Sequence, residues 1–368
     1  MEEKNRLFWI EKDANLYQCN YIGMFDLTKG LFMVGIILLH CVSDYCQPTE
    51  YVLKQGVGGQ LLFSPFLITR YGAVPMLFMI CGYGIRRQEM KSCIRNVARG
   101  FLFPYFCVIV AVCMATLAKQ LFLGGDLLGR LRYQVLPLLL GWHPGERFWG
   151  NVLSQIGPVW FFLTFTLGCI YLNLVLQQKE VWLQILILGA GLVVAMMTTE
   201  IPLPYCLQQT AICSVLMYVG MQLKKNRIPQ KRLPVWLVIA TYLLCLFGSI
   251  RGGYTEFSIN AFSWGGADLL LAGMTGVMLL CLCLRLNVCQ GVIPDALRWM
   301  GQRMMWFCCV HTVSFLVGPW KRMAKFFQEW PAVGILVEFI ISFLYAVFVC
   351  ILLDIIVKKV LKKRKVVF

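Results

Sequence analysis

Residues 25–41 read FDLTKGLFMVGIILLHC. Eleven of these seventeen residues are apolar, the composition of a segment built for lipid. Asp26, Lys29 and His40 nevertheless sit inside it. Whether they belong to a soluble helix or to a membrane one depends on the rest of the chain.

The rest of the chain is membrane-like. Its 368 residues are 59% hydrophobic and 14% charged, with a mean hydropathy of +0.70. Soluble domains carry about 45–50% apolar and about 25% charged residues. Apolar runs approaching the ~20 residues that cross a ~30 Å hydrocarbon core recur along the sequence. They lie near 23–42, 66–85, 101–123, 158–177, 181–198, 206–223, 233–250, 266–286, 301–319 and 332–357. The pattern predicts an all-α fold, a polytopic membrane helical bundle of about ten transmembrane helices forming one domain. Residues 1–22 are then a cytoplasmic N-terminus, 23–357 the bundle and 358–368 a basic cytoplasmic tail. Segment 1–22 has mixed charge and no signal-peptide pattern, so the first span is expected to insert as its own start-transfer helix.

Charge supplies the orientation. The net charge of +16 would suit nucleic acid, but its distribution argues for topology instead. With the N-terminus inside and ten alternating spans, the cytoplasmic segments hold 22 Lys and Arg and the outer ones 8. That asymmetry is the positive-inside rule, and it puts both termini in the cytoplasm. No nucleic-acid partner is expected. The lipid bilayer is the expected partner of the C-terminal KKVLKKRK run, through its anionic headgroups.

Seventeen cysteines are present, most of them in apolar runs where a thiol acts as a small hydrophobe. No C-x-x-C pair or Cys/His metal spacing occurs, so no metal is expected. Cys41 and Cys46, at the outer mouth of the first span, are close enough in sequence to pair. The longest connection, about 124–157, faces outward and mixes aromatic with charged residues, which suits an interfacial helix folded over the bundle.

An ionisable group at bilayer depth costs about 2.5–3.5 kcal/mol on insertion scales and marks a functional candidate. Lys29 and His40 are eleven residues apart, which on a helix is within about 20° of three full turns and about 16 Å along the axis. Asp26 falls about 40° from the same line. The opposite face, with Leu31, Val34 and Leu38, is apolar. The three polar residues therefore form a stripe running from the cytoplasmic mouth past the midplane. Asp26 and Lys29 also fit a plain i,i+3 ion pair at a helix entrance, and His40 a helix-end histidine. His311 lies mid-span in RMMWFCCVHTVSF, either as a bond to another helix or as part of a site. Arg86, Arg87, Arg95 and Arg99 cluster in the cytoplasmic stretch before the third span. Guanidinium forks suit phosphate oxygens, while five cations in such a loop, Lys91 included, also serve topology alone.

The segment Asp26-Leu27-Thr28-Lys29, ten residues and then His40 resembles the first helix of the acyltransferase-3 family of membrane acyltransferases, Asp-x-x-Arg, ten residues, His. GAVPMLFMICGYGI (72–85) resembles that family's second helix, and IRNVARGFLFPY (94–105) its arginine pair before Pro-Tyr. GPVWFFLTFTLG (157–168) resembles its Trp-Phe-Leu helix, and MGQRMMWFCCVH (300–311) its late Gly…His helix. Five motifs occur in order over nearly the whole chain. Lys29 stands where Arg is usual and Cys81 where Ser is usual. The arginine pair is spaced i,i+4 rather than i,i+3, with Arg99 five residues before Pro104 rather than three. These departures mark a divergent branch, and the lack of an appended hydrolase-like domain is that of the stand-alone members.

The resemblance implies transfer of an acyl group, acetyl above all, from cytoplasmic acyl-CoA to a hydroxyl of an envelope glycan or lipid-linked sugar, in a bacterial inner membrane. It implies acyl-CoA as co-substrate. An acyl thioester is already activated, so the catalyst needs chiefly a base for the acceptor and a positive or dipolar group for the oxyanion. His40 is the expected base, with Lys29 and Asp26 lining the thioester route. Arg95, Arg99, Arg86 and Arg87 are the expected holders of the CoA phosphates. Trp160, His143, Glu146, Arg147 and His311 are the expected acceptor-side residues. A proton-coupled transporter or flippase of a polar substrate, with Asp26 and His40 as relay groups, is the alternative, although no duplicated halves of the transporter kind occur. A sensor or scaffold would leave the polar stripe unexplained. The oligomeric state, a homo-oligomer included, is left open by the sequence.

The topology has a direct test. A fluorescent protein fused after Phe368 is expected to fluoresce, and alkaline phosphatase fused at the same point to stay inactive; an active phosphatase would invert the bundle.

Overall fold

The computed structural model describes residues 23–45, 64–124, 126–141, 147–148, 151–152, 156–199, 201, 203–231, 233–251 and 255–361. It is 84% helical, and its only strands among the described residues are two two-stranded hairpins, so the fold is all-α. The helices on which the site depends are α1 (Asp26–Tyr45), α2 (Ser64–Gly84), α3 (Met90–Val97) and α4 (Phe103–Leu123). They continue with α5 (Leu127–Leu140), α6 (Trp160–Val175), α7 (Val181–Met197), α8 (Leu207–Lys225) and α9 (Val235–Ile250). The last five are α10 (Gly266–Arg285), α11 (Val292–Gln302), α12 (Met304–Val317), α13 (Trp320–Phe326) and α14 (Pro331–Leu361).

Five stretches are long and apolar enough to cross a membrane: Asp26–Tyr45, Met90–Phe122, Gly157–Val175, Gly266–Val288 and Pro331–Ile356. Three shorter apolar helices, Val181–Met197, Val235–Gly248 and Met304–Val317, accompany them. The two further runs expected to span, 66–85 and 206–223, are occupied by α2 and α8. Depth in the bundle varies widely. The Gly157–Val175 stretch is 78% buried and Pro331–Ile356 only 17%, so α6 is central and α14 peripheral. Exposed apolar side chains such as Phe106 and Val110 on α4 and Leu344 and Phe348 on α14 form the surface that lipid tails would cover.

Glycine sets how closely the central helices approach. A Cβ on Gly30 of α1 would strike the carbonyl of Leu297 on α11, and one on Gly301 of α11 would strike the carbonyl of Asp26 on α1. The same reciprocal arrangement joins α2 to α8, where Gly82 faces the Met217 carbonyl and Gly220 the Met79 carbonyl. In a bilayer, where lipid is as apolar as leucine, such close backbone contact is a main source of helix association.

Three boundaries differ from the sequence reading. The third span is not preceded by a loose arginine loop. α3, which bears Arg95, runs into a π-helical turn, Ala98–Leu102, which bears Arg99, and then into α4, while Arg86 and Arg87 stay on the non-helical segment 85–89. The late stretch 301–319 is broken in two at Arg303, whose φ of −109° interrupts helical geometry. Arg303 turns out of the helix line to bond Asp354 of α14 at 2.7 and 2.5 Å. α14 continues through Lys358 and Lys359, residues assigned above to the tail. The connection 124–157 does carry a helix, α5, followed by the small hairpin Arg147–Phe148 with Asn151–Val152.

The glycine contact is testable. Gly301→Val should cost about 1–3 kcal/mol or more, since the opposing atom is backbone and cannot rotate away. A lowered thermal midpoint of the detergent-purified protein is the expected result, while valine at Gly266, where a Cβ meets open space, should leave the midpoint near wild type.

Candidate active site

Asp26 opens α1 with its own amide bonded to the Gly23 carbonyl at 2.9 Å. A carboxylate in a helix's first turn is favoured by the dipole, and Asp26 is also paired. Lys29 Nζ lies 2.7 Å from Asp26 Oδ1. Asp26 is buried and Lys29 partly exposed, so the pair sits at a boundary. Beside it Phe25 packs edge-on against Tyr83 of α2 at 5.1 Å between ring centres. Lys224 of α8 donates to the Tyr83 carbonyl at 3.0 Å and lies 5.2 Å from the Tyr83 ring centre. A second cation therefore stands at this mouth, one that the sequence reading counted only toward topology.

The far end of the stripe meets α12. The His40 ring lies 5.2 Å from that of His311 and 5.1 Å from that of Phe315. His311 is 3% exposed, and neither of its ring nitrogens has a hydrogen-bond partner among the described residues. A side chain on Gly157, just before α6, would press on the Phe315 ring. Trp160, the first residue of α6, is buried between Phe78 and Phe161, at 6.2 and 6.0 Å between ring centres, and forms part of the aromatic core.

One turn along α1 from His40, Asp44 is in side-chain contact with Glu338 of α14, and the charge of Lys321 of α13 acts on it. Glu338 is 2% exposed and also in contact with Cys41, which is a free thiol; Cys46 lies outside the described residues. The sequence reading missed Asp44, Glu338 and Phe315. Glu338 carried a signal, since it is the lone ionisable residue amid VGILVEFIISFLY.

Arg86, Arg87, Arg95 and Arg99 are exposed. Arg95 is on α3 and Arg99 in the π-helical turn, a feature frequent at functional sites. Arg87 Nε donates to Gln177 Oε1 at 3.1 Å. The segment between α2 and α3 is fixed by Asn173 of α6, which accepts from the Gln88 amide at 3.0 Å and donates to its carbonyl at 3.1 Å. Arg86 and Arg87 are thus held on a fastened loop. His143 and Glu146 lie outside the described residues, and Arg147 is placed only as backbone in the small hairpin.

The helical bundle thus brings a paired acid and base to one end of α1 and an imidazole pair near its other end. The model of the acyltransferase-3 domain matches residues 22–355, and the chain belongs to that family of membrane acyltransferases. Neither the curated proteins nor the solved structures give a significant match.

The Asp26–Lys29 pair yields a stability test. Lys29→Met leaves the buried Asp26 charge without its partner, a loss of about 1–3 kcal/mol. A lowered thermal midpoint is expected for Lys29→Met, partial recovery for Asp26→Asn with Lys29→Met, and a wild-type midpoint for Lys29→Arg. Equal midpoints in all four proteins would show that the pair carries no stability.

Proposed function

We propose that this acyltransferase moves an acyl group, acetyl in the first instance, from cytoplasmic acyl-CoA to a hydroxyl of an envelope glycan or lipid-linked sugar. The observation that carries the reading is the imidazole pair His40–His311, with both His311 nitrogens unpartnered. Unpaired buried polar atoms are costly and are retained where a substrate group completes them.

In the proposed reaction the acceptor hydroxyl gives its proton to His40 as its oxygen attacks the thioester carbonyl carbon. The resulting oxyanion collapses, the carbon–sulfur bond breaks, and the CoA sulfur leaves as thiolate and takes up a proton. His311 shares the proton load with His40. Coulomb repulsion opposes a second proton on rings this close. Asp44 and Glu338 form the outer reservoir for that proton. Lys29, oriented by Asp26, borders the path of the pantetheine-like arm, whose extended form suits the ~16 Å from Lys29 to His40. Arg95, Arg99, Arg86 and Arg87, with Lys224, bind the CoA phosphates from the cytoplasm. Trp160, His143, Glu146 and Arg147 line the acceptor side. The host membrane on this reading is a bacterial inner membrane.

The experiment supplies membranes containing the protein with radiolabelled acetyl-CoA, following CoA release and label in the envelope fraction. His40→Ala should lower transfer at least about 100-fold, and His311→Ala by less. Equal transfer by wild type and His40→Ala would remove His40 as the base. No transfer from wild type with acetyl-CoA or longer acyl-CoAs would favour the proton-coupled carrier reading, with Asp26 and His40 as its relay groups.

A further inference from the structure

Two thiols meet where three central helices converge. Cys81 Sγ of α2 lies 3.7 Å from Cys169 Sγ of α6. Cys169 is buried and Cys81 partly exposed. The neighbouring residues are in tight contact: Gly82 meets the Met217 carbonyl of α8, and Gly168 meets the Met217 side chain. The helices therefore hold the two sulfurs in fixed proximity. A disulfide requires about 2.05 Å between sulfurs, so closure is a movement of about 1.7 Å, shared between side-chain rotation and a small approach of α6 to α2. Cys93 of α3 donates its thiol to the Cys169 carbonyl at 3.8 Å. Cys169 is thus tied both to the thiol opposite and to the helix that bears Arg95.

We propose that Cys81 and Cys169 are an oxidation site, a dithiol that closes to an intramolecular disulfide under peroxide and thereby weakens acyl-CoA binding. The partly exposed Cys81 is attacked first. Its sulfur takes one oxygen from hydrogen peroxide to become a sulfenic acid, with release of one water. The Cys169 sulfur then attacks the Cys81 sulfur, the sulfur–oxygen bond breaks, and the hydroxyl leaves with the thiol proton as a second water. Two thiols lose two electrons, and peroxide gains them. The bond draws Cys169 toward α2, and through the Cys93 contact it displaces α3 and its arginine. The effect on CoA rests on the acyl-transfer reading, whereas the chemistry of the bond does not.

The test uses the full-length protein purified in detergent and treated with hydrogen peroxide, then alkylated, digested and weighed by mass spectrometry. The expected product is a peptide pair joined through Cys81 and Cys169, released by dithiothreitol and missing from Cys81→Ser and from Cys169→Ala. Recovery of both residues as alkylated thiols, as separate sulfinic acids, or joined to other cysteines overturns the proposal. With acetyl-CoA as donor, the oxidised wild type should show a several-fold higher KM and nearly unchanged kcat, reversed by dithiothreitol and absent in Cys81→Ser. An unchanged KM in the cross-linked protein overturns the regulatory effect. Untreated protein that transfers no acyl group refutes the acyl-transfer reading and leaves the cross-link result standing.

Discussion

Backbone-to-backbone contact at paired glycines is the constraint from which the remaining geometry follows. Gly30 and Gly301 place α11 directly on the first turns of α1, with the Asp26 carbonyl as one contact point. The position of Asp26, and through its ion pair that of Lys29, is therefore fixed by a helix about 270 residues later in the chain. Gly82 and Gly220 do the same for α2 and α8, and so place Tyr83 and Lys224 at the same mouth. Packing of this type tolerates no added atom, because the opposing group is a carbonyl held in its own helix. It also costs less conformational freedom than interlocking long side chains would, which suits association within lipid.

A second principle is the placement of charge at helix ends and crossings. The Asp26–Lys29 and Arg303–Asp354 pairs each lie near a terminus or a break rather than mid-span. There, water or headgroups share the desolvation cost of the charged partner. The imidazoles are different. Among the described residues the enclosed His311 ring nitrogens have no hydrogen-bond partner, and the His40 and Phe315 rings lie close by. A structure that keeps such a group does so against stability, and function is the usual reason.

The class of fold was legible in the sequence because hydrophobic runs near bilayer length leave little choice of structure. The family was legible through five ordered motifs, and it is borne out across residues 22–355. Local interruptions were less so. The break at Arg303 depends on a carboxylate 51 positions later, which no window centred on MGQRMM contains. The π-helical turn at Ala98–Leu102 carries no composition signal either, since ARGFL would serve in an α-helix. Glu338 was visible but unplaced, for a lone acid in an apolar run gives its cost without naming its partner.

The sequence by itself determined the helical class and the stripe on α1, because periodicity and hydropathy are local quantities. It could align Asp26, Lys29 and His40 along one helix to within a few tens of degrees. Only the tertiary structure decided what each of them meets. His40 met a second histidine rather than a helix-end carbonyl, and a thiol of α2 came to face a thiol of α6. Such pairings join residues 88 to 271 positions apart. They are set by which glycines allow two backbones to touch, and that is a property of pairs of helices that one helix alone does not encode.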